Sequence, residues 1–416
     1  MKPLPRKLAF VTPWYGSGKG GAEVFCGGIA AALGAIGRDV EIITTCCRDP
    51  FHDWGENHLP PGLTHDGPVP VRRFKVRPRN ADLYAQLYNA MNAGTRLTPT
   101  QEDQLLANSI NSDDLVAYIS AHRNDTVFFF LPYLYGTTFS GLRAARSDAA
   151  FLIPCLHNEP MAYLPAIQRM FRRATACLFL SQPERDLAAT LYEISAKPEL
   201  LLGGGIRRDS IGDATRFRKS TGIEGPFVLS VGRKVPGKGA DLLMQHFGRY
   251  LALNPDEDLK LVMVGGGQLE IPANLWPRIF SITLETAQEV YDAMAACEFL
   301  IHPSLYESFS IVIMEAWLNN KAVLVNGECE VTLYHVLKSR GGLYFANFGE
   351  FSEAVRMLRQ QPDARAALGA AGRRYVAENY TWHDTALRLH NFLASLEPRP
   401  ETVPVQVAAP PAGSPQ

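Results

Sequence analysis

Short apolar runs alternate with helix-spaced segments along most of this chain. Lys7–Pro13 (KLAFVTP) is apolar and is followed by glycines. A 3.6-period segment from Ala22 to Ile36 ends at Gly37, and Asp39–Thr45 (DVEIITT) is apolar again. This order predicts a strand, a helix and a second strand parallel to the first. Cys46–Pro70 is rich in proline and histidine and reads as loop. A strand is expected around Val71–Val76, with helical stretches near Ala81–Met91 and Glu102–His122. Further strands are expected at Thr126–Leu131, Ala149–Leu156 and Ala176–Leu180. The last two are apolar with polar ends, as strands buried on both faces should be.

The rhythm breaks at Gly203-Gly204-Gly205, and the polar segment Arg207–Glu224 reads as an interdomain linker. A second series then begins. Strands are predicted at Phe227–Val231, Leu259–Val264, Arg278–Ile282, Phe299–His302 and Ala322–Val325. Helices are predicted at Asp241–Ala252, Ala287–Ala296 and Ser310–Asn319, then late ones at Phe351–Gln360, Ala364–Glu378 and Trp382–Leu396. The end of the chain, 397–416, is rich in Pro and Ala and is predicted to be disordered. The expectation is an α/β protein of two Rossmann-like, doubly wound domains, 1–205 and 206–380, facing a central cleft. Ligands of such sheets bind beyond the carboxyl ends of the strands.

A length of 416 residues agrees with two cores rather than one. The net charge of −1 argues against a nucleic-acid partner, which calls for a basic surplus. One local basic run exists, Arg72, Arg73, Lys75, Arg77 and Arg79. It reads either as a solvated strand and loop or, with Arg169, Arg172 and Arg173, as a surface for a membrane or a lipid diphosphate. Seven cysteines without Cys-x-x-Cys spacing suggest neither a disulfide framework nor a zinc site. Met1–Lys7 lacks the apolar segment of a signal peptide, and no apolar run approaches the roughly 20 residues of a bilayer span. A cytoplasmic protein, touching a membrane at most from its inner face, is expected.

The chemistry concentrates in four places. In His302–Trp317 (HPSLYESFSIVIMEAW) a strand ends, a tight loop follows and a helix starts near Ser310, so free amides and the helix dipole face the cleft and suit a phosphate. Glu307 precedes that helix. Glu315 lies within it among apolar residues, and needs hydroxyl donors, such as a ribose, or an interior Arg or Lys partner. Gly232-Arg233-Lys234 followed by Lys238-Gly239 puts cations at another strand end, suited to a diphosphate leaving group or simply to a common basic loop. Gly16–Gly21 (GSGKGG) meets neither the phosphate-loop nor the dinucleotide pattern, and reads as a glycine turn where backbone approaches a ligand. His157 ends a strand and reads as structural or functional. The Pro303 neighbour favours a structural reading for His302.

Taken together these residues resemble the retaining GT-B glycosyltransferases, in particular glycosyltransferase family four. The match rests on Glu307-x7-Glu315 within Pro303-Ser304-x-x-Glu307-Ser308-Phe309-x5-Glu315-Ala316, supported by Gly232-Arg233, Lys238-Gly239, the Gly265–Gly267 turn, Gly20-Gly21 and His157. The resemblance implies a metal-independent transferase without cofactor. It would move a hexose-type sugar from a UDP- or GDP-type donor to a glycan or glycolipid, in bacterial surface polysaccharide synthesis. It further implies that Arg233, Lys238, His157 and Glu307 are catalytic, with His157 over the donor sugar. Gly20, Gly21, Gly232, Ser308, Phe309, Ser310 and Glu315 would bind the donor. Retention by front-face attack then requires no protein nucleophile. The segment 381–396 would be a helix crossing back to the first domain. The chain departs from the family at Gly204-Gly205-Ile206, where an acidic residue is usual. A non-catalytic GT-B binding protein and a GT-B sugar-nucleotide epimerase are the competing readings.

Overall fold

The computed structural model describes residue 5 and residues 7–16 and 20–397 of the chain. In the first half, β1 (Lys7–Val11), α1 (Gly21–Ala35), β2 (Val40–Thr45), β3 (Gly62–Asp66) and β4 (Val69–Phe74) lead into three helices. These are α2 (Ala81–Asn92), α3 (Pro99–Ala107) and α4 (Asp113–Ala121). Then come β5 (Thr126–Phe130), α5 (Gly136–Ala144), β6 (Ala150–Leu152), α6 (Pro165–Arg173), β7 (Ala176–Phe179), α7 (Gln182–Leu191) and β8 (Glu199–Leu201). The eight strands form one sheet in the order β3-β4-β2-β1-β5-β6-β7-β8, parallel except for β3.

The second half begins with α8 (Ala214–Thr221) and continues through β9 (Phe227–Val231), α9 (Ala240–Leu253), β10 (Lys260–Val264), β11 (Ile279–Ile282), α10 (Ala287–Ala296) and β12 (Leu300–His302). Next are α11 (Ile311–Leu318), β13 (Val323–Asn326), α12 (Glu330–Ser339) and β14 (Gly342–Phe345). The last three helices are α13 (Phe348–Gln360), α14 (Pro362–Asn379) and α15 (Trp382–Ser395). Its six parallel strands run β11-β10-β9-β12-β13-β14.

The local chemistry explains most boundaries. Thr98 with Gln101, and Thr286 with Glu289, close reciprocal caps at the starts of α3 and α10, and Ser181 and Thr381 cap α7 and α15. The central strands β1, β5 and β9 carry residues such as Phe10, Phe129 and Leu229 with no exposed surface, because helices cover both faces. The sequence expectations fail where short elements carry polar residues. The polar stretch expected to be linker contains α8, fixed by an Asp213 cap and by Arg216, which ion-pairs with buried Asp292 on α10. The stretch expected to be one helix from Glu102 to His122 is broken between α3 and α4, where Ser112 caps a new start. The expected loop Cys46–Pro70 contains β3, whose residues are all exposed and show no apolar face to betray a strand. α5, β8, α12 and β14 were not foreseen. Ser17–Lys19 of the glycine turn, and the tail beyond Glu397, lie outside the described residues.

The two halves are joined through α15. Trp382, the first residue of α15, packs on α1, where a Cβ on Gly28 would stand 2.1 Å from its ring. Arg388 of α15 donates to the Leu202 carbonyl at 3.0 Å, and Ile206 bridges Thr381. In each sheet the strand order reverses beside one strand, β1 in the first and β9 in the second. The loops leaving β1, β5, β9 and β12 therefore border the crevice where such sheets take ligands.

Candidate active site

The loop after β12 reaches α11 through Ser310, which adopts a left-handed backbone (φ 64°) at the helix start. A non-glycine residue is seldom held there unless its surroundings enforce it. Two contacts do so. Phe309 is buried edge-on against His335 and Tyr380, and Ser310 Oγ lies 3.2 Å from His302 Nε2. His335 is itself fully enclosed, and burial lowers its pKa to about 3, so it packs as a neutral ring. Among the described residues, nothing accepts from the backbone N–H groups of Ser308, Phe309 or Ser310. Three donors and a helix amino end are thus left open to an anion.

Glu307 lies at the centre of this loop, its side chain 13% exposed. Its Oε1 accepts from Lys238 Nζ at 2.6 Å and lies 3.0 Å from His302 Nε2. Burial alone would raise its pKa, but the Lys238 charge and the bonds from His302 and Lys238 hold it well below the usual carboxylate range. Lys238 also donates to the Tyr306 carbonyl at 2.9 Å. The short turn carrying Lys238 ends at Gly239, with φ 69°, where a Cβ would stand 2.3 Å from the Pro303 carbonyl oxygen. Only glycine lets the loop after β9 lie this close to the loop after β12. Gly232 and Arg233 are exposed at the head of that loop, and Arg233 lines a small recess with Lys238, His302 and Pro303.

His157 follows β6 in the first half and faces the second. Its ring stacks on Tyr306 with centroids 6.2 Å apart, and its Nδ1 lies 3.4 Å from Glu159. A cavity of about 70 Å³ brings His157 together with Glu307, Tyr306 and Glu328. Glu315 is on the other flank of α11. It is half-buried, its Oε1 accepts from the Tyr291 hydroxyl at 3.2 Å, and burial pushes its pKa up to about 7. It lines a larger interdomain cavity of about 770 Å³ together with Gly16, Glu23, Arg207 and Trp382. The expectation that an interior Arg or Lys might pair with Glu315 gives way to this tyrosine contact. Gly20 is the residue preceding α1 and Gly21 its first, exposed residue; a Cβ on Gly21 would meet nothing. Among the described residues of this turn, Gly16 is the one at positive φ (120°), with its amide bonded to buried Glu23.

Lys238 and Glu307 are in direct contact, Arg233 shares a recess with Lys238, and His157 shares one with Glu307; His302, expected to be structural, is buried between them. Five residues before Glu307, at a strand end, His302 is the group joining that carboxylate to Ser310. The basic run of the first half is largely engaged internally. Arg72 pairs with Glu41, Arg77 with Asp113 and Arg79 with Asp53, while Arg73 binds Thr64 and the Tyr15 carbonyl. Arg169 pairs with Asp103, and Arg173 caps carbonyls at the end of α5. No helix of the described residues is long and apolar enough to cross a membrane.

Residues 225–361 match the family described as Glycosyl transferases group 1. Over 205 residues the chain is 28% identical to a GDP-mannose-dependent monoacylated alpha-(1-6)-phosphatidylinositol monomannoside mannosyltransferase of Corynebacterium glutamicum, covering 45% of this chain and 52% of that protein. It is 31% identical over 140 residues to an N-acetylgalactosamine-N,N'-diacetylbacillosaminyl-diphospho-undecaprenol 4-alpha-N-acetylgalactosaminyltransferase of Campylobacter jejuni, covering 32% and 36%. The chain spans about half the length, or less, of these curated relatives. Sucrose-phosphate synthase from Thermosynechococcus elongatus superposes with a TM-score of 0.71 at 16% identity, over 94% of this chain and 99% of that one. HepE of Anabaena, in complex with UDP-glucose, gives 0.67 at 16%, over 94% and 99%. The fold is GT-B.

Proposed function

We propose that this chain, a GT-B protein whose second half matches the group 1 glycosyl transferases, is a retaining glycosyltransferase that moves a hexose-type sugar from a nucleoside-diphosphate donor to a glycan or glycolipid hydroxyl. One observation carries the reading. Lys238, Glu307 and His302 converge within 3.0 Å contacts beside three open amides, next to Arg233 and opposite His157. That is an anion site adjoining a polar pocket at the crevice between two sheets.

In this reading the diphosphate lies against Arg233, Lys238 and the amides of Ser308, Phe309 and Ser310. Lys238 already holds one Glu307 oxygen, which leaves the second free to accept a hydroxyl of the transferred sugar. Glu315 takes the ribose, and Gly20 and Gly21 bring α1 to the phosphates. The bond between the anomeric carbon and the phosphate oxygen breaks as negative charge grows on the departing diphosphate. The two cations and the helix end stabilise that charge. The acceptor oxygen attacks from the same face, and its proton passes to the leaving phosphate. His157 lies over the sugar. The GDP-mannose dependence of one relative supports the donor class, and the lipid-linked acceptors in the relatives' names support a glycolipid acceptor, with surface-glycan synthesis as the setting.

The test is a survey of UDP-, GDP- and ADP-sugars for slow hydrolysis without acceptor. Release of nucleoside diphosphate from one donor is expected. Interconversion of the sugar without release would instead make the protein an epimerase, and inertness toward every donor would indicate a binding protein.

A further inference from the structure

The chain after β6 turns at Cys155, which holds a left-handed backbone (φ 51°) in a buried position. A non-glycine residue keeps that conformation only where its neighbours enforce it. The next amide, that of Leu156, donates at 2.7 Å to Oε1 of Glu184 in the first turn of α7. Glu184 Oε2 accepts from the amide of Leu180, just after β7, at 2.5 Å. One carboxylate thus ties together the ends of two paired strands, immediately before His157. On the other side of that histidine, the Glu159 carboxylate accepts from the Tyr133 hydroxyl at 2.8 Å, and the Tyr133 amide donates to the Pro154 carbonyl at 3.0 Å.

A helix-capping role does not account for this arrangement. Ser181 caps α7 by accepting from the Glu184 amide at 3.3 Å, and an acid three residues after a cap is a common helix start. Glutamate is seldom buried without a partner of opposite charge, yet Glu184 is 1% exposed and, among the described residues, is paired with no cation. A carboxylate in such a place is costly unless donors satisfy it, and here backbone amides do so. Both of its oxygens must accept. A glutamine offers one acceptor, and its side-chain nitrogen would face the other N–H group. Glu184 also lines the cavity of about 70 Å³ that brings together His157, Tyr306 and Glu307.

We infer that Glu184 is a positioning residue: by holding the Leu156 amide to the head of α7, it fixes the turn that carries His157 into the crevice. The His157 ring stacks on Tyr306 of the second half, 6.2 Å between centroids, so any shift of the turn moves the ring against the site. A group displaced by about 1 Å from the reacting centre costs up to about 100-fold in rate. The contacts assigned to the diphosphate and the ribose lie on the second half and stay in place, so the loss falls on kcat rather than on KM. This rests on the transferase reading for its effect on turnover, but not for the hold on the ring.

The experiment compares Glu184→Gln with Ser181→Ala in the full chain. The first breaks one of the two amide bonds and keeps the Ser181 cap, whereas the second removes the cap and keeps both bonds. NMR of protein carrying isotope-labelled histidine reads the placement of the ring, the His157 signal being assigned by its loss in His157→Asn. Donor hydrolysis reads turnover. Glu184→Gln should move the His157 signal and lower kcat about 10- to 100-fold, with donor KM within about 2-fold of the parent. Ser181→Ala should lower the melting midpoint and leave the signal and kcat unchanged. Should Glu184→Gln fail to fold, Glu184→Asp, one methylene too short to reach both amides, carries the same expectations. An unmoved His157 signal, an unchanged kcat, a loss confined to KM, or equal effects of the two substitutions overturns the inference and leaves Glu184 as a buried helix cap. Hydrolysis of no donor by the parent sinks the transferase reading alone, and the His157 signal then decides the positioning role.

Discussion

Removing Lys238 should separate what the ion pair does for the fold from what it does for the leaving group. Lys238 and Glu307 are 2.6 Å apart with side chains 22% and 13% exposed. Truncating one partner of a fully buried pair costs about 3–5 kcal/mol, and the residual exposure here lowers that to about 1–3 kcal/mol for Lys238→Ala. The pH dependence has a definite sign. The Glu307 pKa is depressed in the fold, so its contribution is fully present above the unfolded value near 4.3 and is lost as pH falls toward the folded value. The gap between Lys238→Ala and the parent should therefore narrow below pH of about 4. Pairing Lys238→Ala with Glu307→Gln removes the stranded charge and should restore most of the melting midpoint. Turnover should not return. Losing one positive group aimed at charge developing in the transition state costs about 2.7–4 kcal/mol, a 10²- to 10³-fold fall in kcat. Thermal melts from pH 3 to 8, with steady-state donor kinetics of both variants, provide the assay. An unchanged kcat with a raised KM, or recovery of turnover in the double variant, would refute the reasoning.

Glu315, with a pKa near 7, makes a second prediction. Because its folded pKa is raised, the folded state binds the extra proton, and stability is lost as pH rises from about 4.3 through 7, by at most about 4 kcal/mol. Glu315→Gln should thus match the parent in melting at pH 4 and exceed it at pH 8. It should also abolish a fall in donor KM between pH 6 and 8, and a KM insensitive to pH in the parent would contradict the ribose role. Gly239→Ala places a Cβ against the Pro303 carbonyl in a left-handed conformation; it should cost about 2–4 kcal/mol and raise donor KM, measured by melting and kinetics. Gly28→Ala should cost about 1–3 kcal/mol by driving a methyl into Trp382, and adding Trp382→Leu should recover part of that loss in a melting assay.

Strands with strong apolar runs, such as Thr126–Phe130 and Phe227–Val231, were legible because burial on both faces leaves only one polar residue in each. β3 was not, since its five residues are all exposed and show no apolar face. α8 was hidden by its charge, part of which pairs with buried Asp292 on α10. In the site, glycines and charges at strand ends were readable because the spacing itself puts them on adjoining loops. The structural reading of His302 was available from its place before Pro303, but its contacts with Glu307 and Ser310 were not, because the loop after β12 creates them.

The central claim is that one pocket at the amino end of α11 takes the donor diphosphate. A crystal structure with the nucleoside diphosphate released in the donor survey tests it most directly. The account predicts the distal phosphate within hydrogen-bond reach of Lys238 Nζ and the Ser308–Ser310 amides, with the ribose on Glu315. A nucleotide seated elsewhere, with Lys238 still closed on Glu307 and Glu315 still on Tyr291, would contradict it.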